Sequence, residues 1–488
     1  MPTGEQLIVG AVIFPIGSAL LLALIPERSD KARNSMAIFI AAVTAIMVVM
    51  LLPEVLGGHM AFVSLLTIFP GLELAFRADP LAILFGVLAA VLWVFTVVYS
   101  TGYMAHEKNR RRYFVFFLLS LGTTMGIAFS ANLFTLYLFY EFLTIFTYPL
   151  VIHTGSKEAQ AAGLRYIIYS FTGAAFVLAA LVMTYSLTGT LAFTPGGIVN
   201  LAANQAALWQ LIFVCFIIGF GVKAAIMPLH AWLPAAMVAP TPVSALLHAV
   251  AVVKSGVFSI LRVMYSVYGT AALSALNLSL FVIVLVSITI LAASIIALKQ
   301  DVLKRRLAYS TISQLSYIIL GAGLLTSLGL CGGLLHLLNH ALLKITLFFC
   351  AGAIITVTGK EKISEMAGVG RQMPLTMLAF TVCSIGMIGL PPTNGLISKL
   401  CLMAGSVEAG HPAVIIVLIT SALLNAAYFV PIIITAFFKK GNFTRARGVE
   451  APLSMLGPIV FLALTCLVVG IKLDLTVPFI QSVVSYLF

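Results

Sequence analysis

Charge is what this sequence has least of. Only 9% of its 488 residues are charged, 61% are hydrophobic, and mean hydropathy is +1.14. Soluble domains carry roughly 25% charged residues, so a water-exposed globule of this size is excluded and a lipid bilayer is the solvent that suits the chain. Cysteine is sparse as well. Cys215, Cys331, Cys350, Cys383, Cys401 and Cys466 all sit in apolar stretches without metal-ligand spacing, which leaves them as small hydrophobes. There is no Gly-rich phosphate loop, CxxC pair, paired-carboxylate hydrolase motif or haem attachment motif. No connection between apolar runs exceeds roughly 25 residues, so a soluble catalytic domain has no room. Neither a metal nor a cofactor is expected in this chain, and any coupled redox chemistry belongs to another subunit. The N-terminus, MPTGEQLIVG, lacks the basic region of a signal peptide and is expected to be retained.

What is present is a series of apolar runs. A membrane helix needs about 20 such residues. The runs predict about fourteen helices, at 5–25, 34–56, 79–104, 113–130, 132–152, 161–188, 207–229, 242–266, 272–299, 303–325, 330–357, 373–405, 412–438 and 452–473. They are continuously apolar, not alternating, which argues for an all-α integral membrane fold over a barrel.

Basic residues check this count. If every second connection faces the cytoplasm, those connections hold twenty of the 27 Lys and Arg residues, among them Arg28, Arg110, Lys157, Lys304, Lys360, Lys440, Arg445 and Arg447. The opposite side receives Arg77, Arg262 and Lys472. Retention of basic loops on the cytoplasmic side then puts both termini on the outer side of a cytoplasmic membrane.

The remaining four basic residues, Lys223, Lys254, Lys344 and Lys399, fall inside spans, together with one acid, Glu141. A charge at the bilayer centre costs ~2.5–3.5 kcal/mol on insertion scales, so five imply a cost on the order of 10 kcal/mol before pairing. Such residues are expected to face a polar interior and one another. Glu141 has Lys223 as its natural partner; a static pair that merely locks helices is the competing reading.

The eleventh span reads GGLLHLLNHALLKITLFF, with His336, His340 and Lys344 on one helical face and Asn339 beside it. Histidine exchanges protons near neutral pH, so this stripe forms a plausible relay. His248 and Lys254 extend it into the eighth span, their spacing of six putting them on different faces. Two spans are interrupted: the seventh by Pro228 and neighbouring prolines, the twelfth by Pro391 and Pro392. Proline breaks the helix ladder, which lipid tolerates only where protein or water takes over. His230 at the first break is either a gate on access or a plain polar break residue. Lys399 follows the second break, as the end of the line or as a side chain snorkelling to an interface. Breaks five helices apart fit two inverted five-helix repeats. That divides the chain into 1–112 (helices one to three), 113–266 and 267–440 (the repeats), and 441–488 (the last helix and tail).

The stretch KAAIMPLHAWLPAAMVAPTPVSALLHAVAVVKSGVF resembles the signature of the antiporter-like subunits shared by respiratory complex I, Mrp-type cation/proton antiporters and group 4 membrane-bound hydrogenases. LYLFYEFLTIFTYPL, RRLAYSTISQLSYIILG, HLLNHALLKITLFFCAGAI and GLPPTNGLISKL match further parts of the same pattern in the same order. The resemblance implies fourteen helices with two inverted repeats and broken seventh and twelfth helices. It implies that Glu141 and Lys223 form a switching pair, that Lys254 is the eighth-helix site, that His336, His340 and Lys344 form the eleventh-helix track, and that Lys399 is the terminal site. It implies work inside a multi-subunit complex, either beside a redox arm with Fe–S clusters or as a D-type Mrp subunit. The carried ion is a proton, sodium or both. A stand-alone solute transporter and a non-pumping membrane anchor are the alternatives.

Overall fold

The computed structural model describes residues 2–201, 205–439 and 448–488. Lys440, Arg445 and Arg447, counted among the basic connections above, lie outside them. The chain opens with α1 (Gly4–Leu22), α2 (Asp30–Met50) and α3 (Leu52–Leu56). A hairpin follows, of β1 (Phe62–Phe69) and β2 (Leu72–Arg77), and then α4 (Pro80–Tyr103), α5 (Arg110–Ala128), α6 (Leu133–Val151) and α7 (Lys157–Thr188). Next come α8 (Ala206–Lys223), α9 (Trp232–Ala235), α10 (Thr241–Ala249), α11 (Val252–Arg262), α12 (Gly269–Ala275), α13 (Leu278–Leu298) and α14 (Leu303–Gly323). The chain continues with α15 (Ser327–Thr358), α16 (Val369–Gln372), α17 (Pro374–Ile388), α18 (Gly395–Glu408), α19 (Ala413–Phe438), α20 (Leu453–Ile471) and α21 (Val477–Leu487).

Eleven helical stretches among the described residues are long and apolar enough to cross a membrane. The chain is a multi-pass integral membrane protein. Polar side chains start several helices where the first N–H groups lack partners. Asn132 accepts from Thr135 N at 2.8 Å, Ser156 from Ala159 N at 3.1 Å, and Thr326 from Gly329 N at 3.1 Å. Glycines in the left-handed conformation close α7 at Gly189 and α15 at Gly359. The centre of the bundle is α15, packed against α10, α14, α17, α18 and α20.

The chain is interrupted at the two proline-bearing stretches, around Pro228 and at Pro391–Pro392. α8 stops at Lys223 and its chain resumes as the short α9, while α17 and α18 flank the second break. Three features depart from the sequence expectation. The fold is not wholly α, because residues 62–77 pair as an antiparallel hairpin running from Phe62↔Arg77 to Phe69↔Leu72. This stretch lies between the spans, where the apolar-run criterion assigns nothing. The hairpin is fastened to the bundle: Ala131 N donates to Ala75 O at 3.0 Å and Asn132 Nδ2 to Glu73 O at 2.8 Å.

The eighth span, expected to be one helix over 242–266, is interrupted at Val250 and Ala251 without a proline there. Val250 N and Ala251 N both reach back to Leu246 O, so the ladder loses register. Its second half then loosens into a π-helical turn at Val263–Tyr268. Third, Arg262, assigned by the charge count to the side opposite the basic connections, does not reach the surface there. It is fully buried and forms a bidentate pair with Asp79, 2.8 Å on each arm, while Asp79 also caps α4 through Ala82 N.

The basic connections do gather at one end. Arg110 pairs with Asp30 at 2.5 Å, Arg112 donates to His153 O at 2.9 Å, and Leu303 N donates to Glu361 O at 3.0 Å. The hairpin, Asp79, Arg262 and Tyr486 meet at the other end, where the Tyr265 ring also lies tilted against Phe488, 5.6 Å between centroids.

Candidate functional site

Lys223, the last residue of α8, is fully buried. Its ammonium donates to the carbonyl of Tyr140 and lies 3.3 Å from the centre of the Tyr140 ring. The expected ion pair with Glu141 is not formed: Lys223 bonds one residue earlier, to backbone. Neither Glu141 carboxylate oxygen has a hydrogen-bond partner, although the two groups interact electrostatically. Glu141 is only half-buried, on a face of α6 that also exposes Phe142 and Ile145.

α11 approaches this point backbone to backbone. A Cβ at Gly256 would meet Ala224 N at 2.3 Å and Lys223 C at 2.8 Å, so only glycine fits. Two residues earlier, Lys254 donates across to Leu337 O on α15. His248, on the other side of the eighth-span break, is fully buried, with its ring 4.9 Å from Phe348 and both nitrogens unpartnered. It lies within electrostatic reach of Lys344 and Lys304.

On α15 the polar stripe is buried as read. His336 is held between Ser398 Oγ at 3.1 Å and Gln314 Oε1 at 3.0 Å. The His340 ring is 6.3 Å from that of His336 and makes no hydrogen bond, with Lys254, Lys344, His336 and His248 all within electrostatic reach. Lys344 donates to Ser310 Oγ at 2.9 Å. Asn339 and Asn394 bond one another, tying α15 to the second break.

Lys399 does not snorkel. It turns into the break and donates to Met387 O at 2.8 Å and Ile388 O at 2.7 Å, the carbonyls that α17 frees where it ends. A cation at a helix C-terminus is favoured by the helix dipole. Gly389, at φ 94°, and Gly395, whose Cβ would come within 1.8 Å of Gly386 O, let the chain fold this tightly.

His230 stands apart from this line. It is half-buried, 6.1 Å from the Tyr309 ring, and Pro228, Pro391 and Pro392 are exposed on the outer sides of their breaks.

Sequence reasoning missed several polar residues of the interior. Ser310, Gln314, Ser398, Asn425 and Tyr428 are all buried against the titratable line. Their signal was modest: single polar side chains at helical spacing inside apolar runs, as in AYSTISQLSY and NAAYFVP. Lys304, read as a connection residue, is buried, and its ammonium reaches Ala239 O at 2.6 Å. It floors a cavity of about 540 Å³ that opens on the basic end and is lined by Glu107, Glu158 and Glu361 among others.

Among the described residues five ion pairs occur, and none includes Lys223, Lys254, Lys344 or Lys399. No group of His, Cys, Asp and Glu there has metal-site geometry.

Comparison with known proteins places this geometry among relatives. Residues 130–425 match the family model described as NADH:quinone oxidoreductase/Mrp antiporter, and residues 70–114 match the N-terminal model of complex I chain 5. NADH-quinone oxidoreductase subunit N of Desulforudis audaxviator is 36% identical over 82% of each chain. A Staphylococcus saprophyticus protein described as an antiporter subunit is 30% identical over 80% of this chain, which spans 50% of that longer relative. A chain of the archaeal membrane-bound sulfane sulfur reductase superposes with a TM-score of 0.89 at 25% identity, covering 98% of this chain and 97% of that one.

Proposed function

Because this chain belongs to the NADH:quinone oxidoreductase/Mrp antiporter family of membrane subunits, we propose that it carries protons sideways through the membrane within a multi-subunit complex. The route runs from Glu141 and Lys223, through Lys254, His248, His340 and His336, to Lys344 and Lys399. One observation carries this reading: four buried lysines stand without a carboxylate in any ion pair. A permanent ammonium held that way costs several kcal/mol. Such a lysine is tolerable when its charge is temporary, present only while a proton passes. Backbone carbonyls then serve as acceptors that do not trap the proton, as a carboxylate would.

Glu141 is the switch in this scheme. With its carboxylate off Lys223, the lysine sits on Tyr140 O and its proton is free to be displaced inward. When the carboxylate swings to Lys223, it holds that proton in place and lowers the electrostatic cost of a second one further along. His336 has hydrogen-bond partners on both nitrogens and relays between α14, α15 and α18. Removing Glu141 or Lys223 tests the scheme. Glu141→Ala and Lys223→Ala are each expected to lower ion translocation by the assembled complex at least tenfold, and native rates in either would refute it.

The fold supports finer assignments. Eleven apolar spans together with α5, α14 and the broken α17/α18 make fourteen crossings. Residues 113–266 and 267–440 form two inverted five-helix units, with Lys223 before one break and Lys399 after the other. The basic end faces the cytoplasm and both ends of the chain face outward. His230 borders the first break as a gate. Redox-driven pumping, with cofactors on neighbouring subunits, and Mrp-type exchange of protons for sodium are the two forms of this function; the family description names NADH:quinone oxidoreductase and Mrp antiporter side by side.

A further inference from the structure

Lys344 and Lys399 are joined by a hydrogen-bonded array that avoids the histidines. Lys344 Nζ lies 2.9 Å from Ser310 Oγ, and Ser310 Oγ lies 3.0 Å from the Tyr428 hydroxyl. That hydroxyl also bonds Asn425 Oδ1, and Asn425 Nδ2 donates to Met387 O at 3.2 Å. Lys399 donates to the same Met387 carbonyl at 2.8 Å. Ser310, Tyr428 and Asn425 are fully buried. The tyrosine's backbone is fixed by Arg306 Nη1, which donates to Tyr428 O at 3.0 Å. Among the described residues, the histidine stripe offers no such continuous connection, since His340 has no hydrogen bond.

Each hydroxyl has one proton to donate, and Tyr428 faces two acceptors. Proton occupancy at Lys344 therefore decides the direction of the whole array. As an ammonium, Lys344 has no acceptor lone pair and must donate to Ser310. The serine oxygen, already accepting from the ammonium, is then the weaker of the two acceptors facing Tyr428, and the tyrosine proton turns to Asn425 Oδ1. As a neutral amine, Lys344 accepts from Ser310. Tyr428 then turns its proton back to the serine and releases Asn425 Oδ1, the amide next to the carbonyl that Lys399 uses. No bond to a heavy atom is made or broken; only hydroxyl orientations change.

We propose that Ser310, Tyr428 and Asn425 are positioning residues that report the proton occupancy of Lys344 to Lys399, so that the terminal site answers to the one before it. This rests on the proton-carrying reading given above. The test uses the complete complex in proteoliposomes, with Tyr428→Phe, Ser310→Ala and Ser310→Thr beside Lys344→Gln and Lys399→Gln. Tyr428→Phe keeps the ring and Ser310→Thr keeps the hydroxyl. Expected are a fall of at least fivefold in ion translocation for Tyr428→Phe and Ser310→Ala, rates within twofold of native for Ser310→Thr, and loss of translocation in both lysine variants. Native rates in Tyr428→Phe and Ser310→Ala, with the lysine variants inactive, would overturn the array alone. Equal damage from Ser310→Ala and Ser310→Thr would overturn it too, by assigning the serine to packing. Native rates in the lysine variants would instead sink the proton-carrying reading. Should Tyr428→Phe fail to assemble, the alanine and threonine pair at Ser310 decides by the same criteria.

Discussion

A lysine ammonium inside this bundle takes backbone oxygen in place of carboxylate. Lys223 uses Tyr140 O, Lys254 uses Leu337 O, and Lys399 uses two carbonyls at the end of α17. Such acceptors cannot be titrated, so each site keeps its geometry whether or not it holds a proton. Lys254→Gln, which keeps a donor to Leu337 O but cannot carry a proton, is expected to abolish translocation while the complex still assembles; size-exclusion profiles and proteoliposome assays measure both. The Asp79–Arg262 pair is the opposite case, a permanent lock in which each charge neutralises the other. Arg262→Ala removes the bidentate partner and leaves the buried Asp79 with only the longer, part-exposed contact to Arg77 at 3.6 Å; breaking a buried pair costs about 3–5 kcal/mol, so a clearly lowered melting temperature is expected. The lock was invisible in the sequence because its halves lie 183 positions apart, each near the end of a different predicted span. In the α6–α7 connection, burial and the Arg112 guanidinium hold the His153 imidazole below its ordinary value of 6.5. The stabilisation that goes with the neutral ring is therefore complete above pH 6.5 and is lost as pH falls through the depressed value. Hydrogen exchange over residues 151–157 should lose protection on acidification in the native protein and not in His153→Gln.

Proline made two of the broken elements legible, because Pro228, Pro391 and Pro392 cannot continue a helix in lipid without help. The third break, at Val250–Ala251, carries no such mark. It arises from packing: α10 lies against α15, while α11 is drawn through Gly256 onto the end of α8, and one straight helix does not serve both. The histidine stripe on α15 was legible because its four-residue spacing survives in any straight helix. The hydroxyl array was not, since its members come from α14 and α19 and meet only through tertiary packing. Gly395 tests the second break. A methyl group there would collide with Gly386 O, so Gly395→Ala is expected to displace α18, cut translocation at least tenfold and lower the yield of assembled complex.

Over the whole molecule, the two ends differ in chemistry. One gathers the basic connections and the cavity floored by Lys304; the other is closed by the hairpin and the Asp79–Arg262 lock. Basic residues predicted that division, though the structure buries Arg33, Lys304 and Arg306, which the charge count treats as surface. Single cysteines placed at Glu361 and at Leu66 should react with a membrane-impermeant maleimide from opposite sides of intact vesicles. Labelling of both from one side would reject the topology. Five of the six native thiols are buried, which keeps the background low.

The place of Glu141 near the rim of the bundle, with its carboxylate tucked inside, has a wider consequence. Both carboxylate oxygens are covered by the chain's own atoms, but the half-exposed residue leaves little protein between them and whatever lies alongside, and detergent, lipid and a neighbouring helix are three different dielectrics. The purified chain and the same chain within its assembly are thus electrostatically distinct molecules at this residue. Exchanging detergent for lipid around the purified chain should therefore alter the behaviour of Glu141 much as a substitution beside it would.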